Sequence, residues 1–93
     1  MLAAAGQWGL VVSKDEKDEE SGIIIDNVRA GSAAAAAGLK AGDRLLAIDG
    51  RWTENVFDCY RATAAAKPGS EVPVVVRRSG KEMGLTVRPR PGF

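Results

Sequence analysis

The chain has 93 residues, thirteen basic and twelve acidic, giving a formal net charge of +1. That length suits one domain with one core, and so small a charge supplies no field for nucleic acid or an anionic membrane surface. There is no histidine, which removes His-dependent catalytic arrangements and the commonest metal ligand, and the single cysteine, Cys59, excludes an internal disulfide.

The opening "MLAAAG" is too short and too poor in basic residues for a signal sequence. Residues 1–6 are therefore read as a flexible flank of a domain spanning 7–88, with a second flexible flank at 89–93. No apolar run approaches the roughly twenty residues needed to cross a bilayer, so direct membrane insertion is not expected.

Gln7 to Ser13, "QWGLVVS", is aromatic and β-branched and predicts a strand. Lys14 to Glu20, "KDEKDEE", interrupts it with dense charge and reads as a solvated loop. It lacks the glycine and spacing of a calcium loop. Gly22 to Val28, "GIIIDNV", is too apolar to face water on either side and predicts a buried strand.

Five alanines follow, Ala33 to Ala37, bounded by Ser32 and Gly38. Ser32 is placed as an N-cap and Gly38 as a left-handed C-terminal residue, with Leu39 free to pack back onto the helix. "AGD" then turns into "RLLAIDG", a strand ending at Asp49-Gly50, a strong turn signal. Asn55 and Asp58 stand three apart, as in a capping box, at the head of a helix running to about Ala66. "EVPVVVRR" and "KEMGLTVRP" predict two strands joined at Ser79-Gly80 as a tight hairpin. Pro73 belongs at an edge or a position that needs no donor. The late basic residues Arg77, Arg78, Lys81, Arg88 and Arg90 read as a solvated rim. The order predicts an α+β fold: a small, partly open barrel or sandwich of about five to six strands, capped by two helices.

The pattern formed by Val28, Gly31-Ser32, Ala34, Ala37-Gly38-Leu39, Gly42-Asp43, Leu45 and Ile48-Asp49-Gly50 resembles the PDZ family. The resemblance runs from Gln7 to about Val87. The long helix, "KPG" and the Arg78-Ser79-Gly80-Lys81 hairpin resemble the bacterial branch. That branch accompanies high-temperature-requirement serine proteases, C-terminal processing proteases and related peptidases. The proline usual after Gly-Ser is Ala33 here, a departure that weakens the short helix slightly.

The family binds extended peptide ends by strand addition. Its X-Φ-G-Φ loop is matched by Gln7-Trp8-Gly9-Leu10, so the resemblance implies that the amides of Trp8, Gly9 and Leu10 receive a terminal carboxylate. Leu10, Val11 and Val12 would form the strand edge that pairs with the peptide. Helical spacing with Cys59, Ala62 and Ala66 buried leaves Val56, Tyr60 and Thr63 together as the facing wall. Leu10, Val12, Tyr60 and Thr63 would then hold an apolar last residue, and Val56 the third residue from the end. Serine- and threonine-selecting relatives place a histidine there, so an apolar preference is expected at that position.

The implied partners are C-terminal peptides or extended, unfolded segments, together with a neighbouring protease domain in a longer parent chain. The resemblance favours the periplasm or cell envelope. Neither a cofactor nor a catalytic residue is expected. Cys59 lacks an activating base, and the serines lack partners for nucleophilic catalysis. An alternative stays open, in which the domain is an interdomain scaffold with its groove unused or filled in cis. An exposed apolar patch away from the groove would favour that alternative. A last residue Phe93 with a free carboxylate suggests weak head-to-tail self-association.

Overall fold

In the computed structural model, residues 8–67 and 69–89 are described. The elements are β1 (Leu10–Ser13), β2 (Ile23–Val28), helix α1 (Ala33–Ala37), β3 (Arg44–Ile48), β4 (Arg51–Trp52), helix α2 (Val56–Ala65), β5 (Val72–Arg78) and β6 (Lys81–Val87). The strands form one antiparallel sheet in the order β1-β2-β3-β5-β6, with β4 paired to the end of β3. The α+β architecture expected from the sequence is the one found. The two-residue strand β4 is an addition, produced when Asp49 and Gly50 both take positive φ and fold the chain back on β3. Two such residues in succession make the tight hairpin turn whose twist suits the flanking strands. Ser79 and Gly80 repeat the device between β5 and β6.

Strand β5 alternates strictly, burying Val72, Val74 and Val76 while Pro73 faces water. Pro73 precedes the last β3–β5 partner pair, Ile48–Val74, and its carbonyl accepts the Asp49 N–H at 2.7 Å. The missing proline donor therefore falls at the start of the strand, where the ladder loses little. The core is a single cluster in which Leu10, Val12, Ile23, Ile25, Leu45, Ile48 and the β5 valines meet Trp8, Cys59 and Val87.

The short helix is held at both ends. Ser32 Oγ accepts the Ala35 N–H at 3.1 Å. Gly38, at φ 94°, lets its own N–H and that of Leu39 return to the carbonyls of Ala35 and Ala34. Leu39 is buried in the core. Five residues suffice for α1 because it covers one end of the sheet, against β6, and has no second face to fill.

The charged loop after β1 is exposed along most of its length but is anchored. Asp18 pairs with Arg44 at 2.9 Å, Glu20 lies 3.5 Å from both Arg44 and Arg77, and Lys14 donates to the carbonyls of Glu20 and Gly22. The loop is solvated as expected, and its anchoring is the addition: Arg44, on an interior strand, supplies a cation that no local pattern reveals.

Candidate functional site

The turn ahead of β1 is built around Gly9. Trp8 is buried, Gly9 takes φ +84°, and the Gly9 carbonyl accepts the Arg29 N–H at 2.8 Å. Beyond it, β1 pairs with β2 on one side only, in the register Leu10–Val28, Val11–Asn27, Val12–Ile25 and Ser13–Ile24. Asp26 is skipped in that register, a bulge of one residue in β2. Among the described strands nothing pairs with the other side of β1, so a row of main-chain donors and acceptors lies open there. Leu10 and Val12 point into the core, and Val11 points out, 43% exposed.

Helix α2 starts at a well-made cap. Asn55 Oδ1 accepts the Asp58 N–H at 2.9 Å, and Asp58 Oδ2 accepts the Glu54 N–H at 3.1 Å. The reciprocal bond thus reaches one residue further back than in the standard box. Val56 and Tyr60 are half-buried and pack against the core with one side. Thr63 does not share their exposure. It lies with Cys59 and Ala62 on the buried face, while Ala66, expected there, is only half-buried. The hydroxyl of Thr63 makes this burial tolerable by donating to the carbonyls of Cys59 at 3.0 Å and Tyr60 at 3.1 Å. Burial also pushes the Cys59 thiol up to about 12, so it carries no thiolate chemistry at neutral pH.

The sequence model of the PDZ domain matches residues 2–77, most of the chain. The chain belongs to the PDZ family. Among curated relatives, this PDZ domain is 40% identical over 70 residues to the zinc metalloprotease RasP of Geobacillus kaustophilus, covering 71% of the chain and 15% of the relative. It is 38% identical over 63 residues to a protein of Rhizobium meliloti named "Probable periplasmic serine endoprotease DegP-like", covering 68% of the chain and 12% of the relative. The chain thus spans well under a quarter of the length of these relatives. Among solved structures, the HtrA-type protease AlgW with a decapeptide superposes with a TM-score of 0.78 at 27% identity, over 92% of this chain and 30% of that one. The match to the family model ends before β6, so the outermost strand beside β5 in this PDZ domain lies beyond it.

Three features of the PDZ domain escaped the sequence reading. The first is Thr53, fully buried, whose hydroxyl donates to the Leu45 carbonyl at 2.6 Å and whose N–H donates to that of Leu46 at 3.0 Å. It ties the approach to α2 onto β3, yet a threonine after an exposed Trp52 carries no sequence signal of that role. The second is the two-pronged pair between Asp43 and Arg78, at 2.8 and 2.6 Å, with Arg78 also donating to the Gly38 carbonyl at 2.8 Å. Arg78 is therefore a structural clasp between the end of α1 and the β5–β6 hairpin, not part of a solvated rim. Its neighbour in the expected rim, Arg88, pairs with Glu71 at 2.9 Å on the surface. The third is a cavity of about 420 Å³ lined by Ala33, Ala36, Ala37, Gly69, Thr86, Arg88 and Pro89. None of its walls comes from β1 or α2.

Proposed function

We propose that this PDZ domain captures the free C-terminal end of an extended polypeptide with an apolar last residue, adding it as a strand to the open side of β1. The observation that carries this reading is the open edge itself, headed by a glycine turn beside a buried tryptophan. Main-chain hydrogen bonds from Leu10, Val11 and Val12 supply the affinity, and the amides of Trp8, Gly9 and Leu10 receive the carboxylate. Val56 and Tyr60, half-buried, form the second wall, while Thr63, expected beside them, lies on the buried face of α2. The decapeptide held with AlgW supports a peptide ligand.

The parent chain is a protease, and the domain recruits substrate to it or regulates it; relatives of both zinc and serine type carry such a domain. The Rhizobium meliloti relative supports a periplasmic or envelope setting.

The test is an amide NMR titration with peptides ending in apolar residues, each beside its C-terminally amidated twin. Shifts at Trp8 to Val12 and at Val56 to Thr63 that vanish on amidation are expected. Silence across the set, with the fold intact, overturns the reading.

A second reading has its own observation. Trp52 and Phe57 are 63% and 70% exposed, five positions apart on β4 and α2. Such large apolar groups on the surface suit an interdomain contact in which the PDZ domain acts as a scaffold. If so, their exposure falls when the adjoining domain is present, which tryptophan fluorescence quenching measures. Phe93, the proposed source of head-to-tail association, lies outside the described residues. Removing 90–93 abolishes any such association in sedimentation velocity.

A further inference from the structure

We infer that β6 is a second docking edge and that its occupant is the β6 of another copy of this chain, paired antiparallel about a two-fold axis at Gly84. The strand runs seven residues beside β5 with no irregularity in register, from the Arg78–Lys81 pair to Val72–Val87. Its open side follows from Pro73. The Pro73 carbonyl is taken by the Asp49 N–H at the end of β3, and proline has no N–H, so the Pro73–Thr86 pair exchanges no main-chain bonds. The N–H and C=O of Thr86 therefore point away from β5, and alternation gives Gly84 and Glu82 the same direction. Among the described strands none pairs with that side. Apart from Lys81 at the hairpin end, the strand carries no proline, bulge or buried charge to blunt the edge.

Gly84 is the observation that calls for a partner. It lies mid-strand without a positive φ, and a Cβ placed there would meet no atom within 4 Å. Neither conformation nor room within one chain requires this glycine, which weakens a strand interior and commonly marks the close approach of another backbone. Two-fold pairing sets Gly84 against the second copy's Gly84, Met83 against Leu85, Glu82 against Thr86 and Lys81 against Val87, with no like charges opposed. Glu82 then lies on the diagonal from the second copy's Arg88, within reach across the sheet face. The existing bond of Arg88 to Glu71 is a surface one, with side chains 73% and 65% exposed, and a guanidinium can serve two carboxylates. Thr86 and Arg88 line the cavity of about 420 Å³, whose opposite wall is Ala33, Ala36 and Ala37 of α1. Those methyl groups leave room for the incoming Glu82. Moving the axis to Glu82 would set carboxylate against carboxylate, so charge favours the axis at Gly84.

A single edge of this length makes a weak, transient dimer. In sedimentation velocity the weight-average mass of this chain is expected to climb from one copy towards two between micromolar and millimolar concentration. Amide exchange at Glu82, Gly84 and Thr86 is expected to slow at least about fivefold over that range, while Trp8 to Val12 keep their rates. Gly84→Pro removes the donors at the axis and, in the single chain, only a donor that faces water; it is expected to remain monomeric. Glu82→Arg and Arg88→Glu are each expected to weaken association at least about threefold, and the double variant to restore it. The charge exchange decides whether or not Gly84→Pro folds. A single copy at every concentration overturns the proposal, as does slowed exchange at Trp8 to Val12 in place of β6. Association that survives in folded Gly84→Pro, or that vanishes when 90–93 are removed, also overturns it. A double variant as weak as either single one overturns the axis at Gly84.

Discussion

Gly9 and Ser32 meet so closely that a Cβ on Gly9 would stand 2.2 Å from the Ser32 Cβ and 2.5 Å from its Oγ. The proposed carboxylate turn therefore rests directly on the N-cap of α1. Two motifs twenty-three positions apart, the Trp8-Gly9-Leu10 turn and Gly31-Ser32, are halves of one packed joint. Gly9→Ala adds both this clash and a positive φ, and is expected to destabilise the fold by about 3 kcal/mol. Ser32→Ala retains the Cβ, so it does not relieve Gly9→Ala, and alone it costs about 1 kcal/mol through loss of the cap. Ser32→Gly relieves part of the clash. Thermal unfolding of the two double variants distinguishes contact from backbone strain: equal melting temperatures would assign the whole effect to φ.

Asp43 and Arg78 make the fold sensitive to acid. The Arg78 guanidinium holds the Asp43 carboxyl below its ordinary value of 3.8; burial opposes this and the Lys40 N–H assists. A carboxylate lowered in the folded state stabilises fully above its unfolded value and loses that contribution as pH falls through the folded one. Asp43→Asn is expected to cost about 2 kcal/mol at pH 7, roughly 10 °C in melting temperature for a domain of this size. The gap between wild type and variant should be constant from pH 5 to 8 and shrink below about pH 4. A gap that persists undiminished at pH 2 would remove the pair from the account. Asp18, lowered first by its bond to Arg44, adds to the acid trend with the same sign.

Cys59 gives a readout of opening. Its thiol keeps its proton up to about 12 against an ordinary 9.0, because burial disfavours the thiolate. At pH 8 the native thiol is expected to react with a disulfide reagent at least about a thousandfold more slowly than the denatured chain. The same shift lowers stability as pH rises above 9, where only the unfolded thiol ionises. Rapid modification of native protein would place Cys59 on the surface, against its full burial.

Thr53 tests the link between β3 and α2. Thr53→Val keeps the volume and removes the donor to the Leu45 carbonyl, at a cost of about 1–3 kcal/mol for a buried acceptor left bare. Faster amide exchange in the first turn of α2 than at β5 is the expected local signature. Uniform acceleration throughout would show that the bond is global in effect.

Local grammar carried much of this fold into view. Ser32 and Gly38 bracket α1, Asp49-Gly50 and Ser79-Gly80 set hairpins, and the Leu10/Val12 alternation assigns the buried side of β1. Each of these is decided within a few residues, by a cap, a positive φ or a period of two. What stayed hidden depends on partners far along the chain. Arg44 meets Asp18 twenty-six positions away, and Arg78 meets Asp43 thirty-five positions away. Thr63 was hidden for another reason. A threonine reads as polar and rim-facing, and only the α2 carbonyls that accept its hydroxyl allow it inside.

Strand β6 sets when this domain can be finished. It is the last of the described elements, yet its Val87 completes the core, and α1 leans on it from fifty positions earlier. During synthesis, α1 and β5 are already outside the ribosome while their cover is still being made. Until Lys81–Val87 emerges, the inner strand β5 is a bare edge beside a half-built core, which is the kind of surface chaperones hold. Among the described strands, the completed sheet then ends at β1 on one side and at β6 on the other. A nascent chain of this domain exchanges a bare strand of buried valines for a more polar outer one in a single late step.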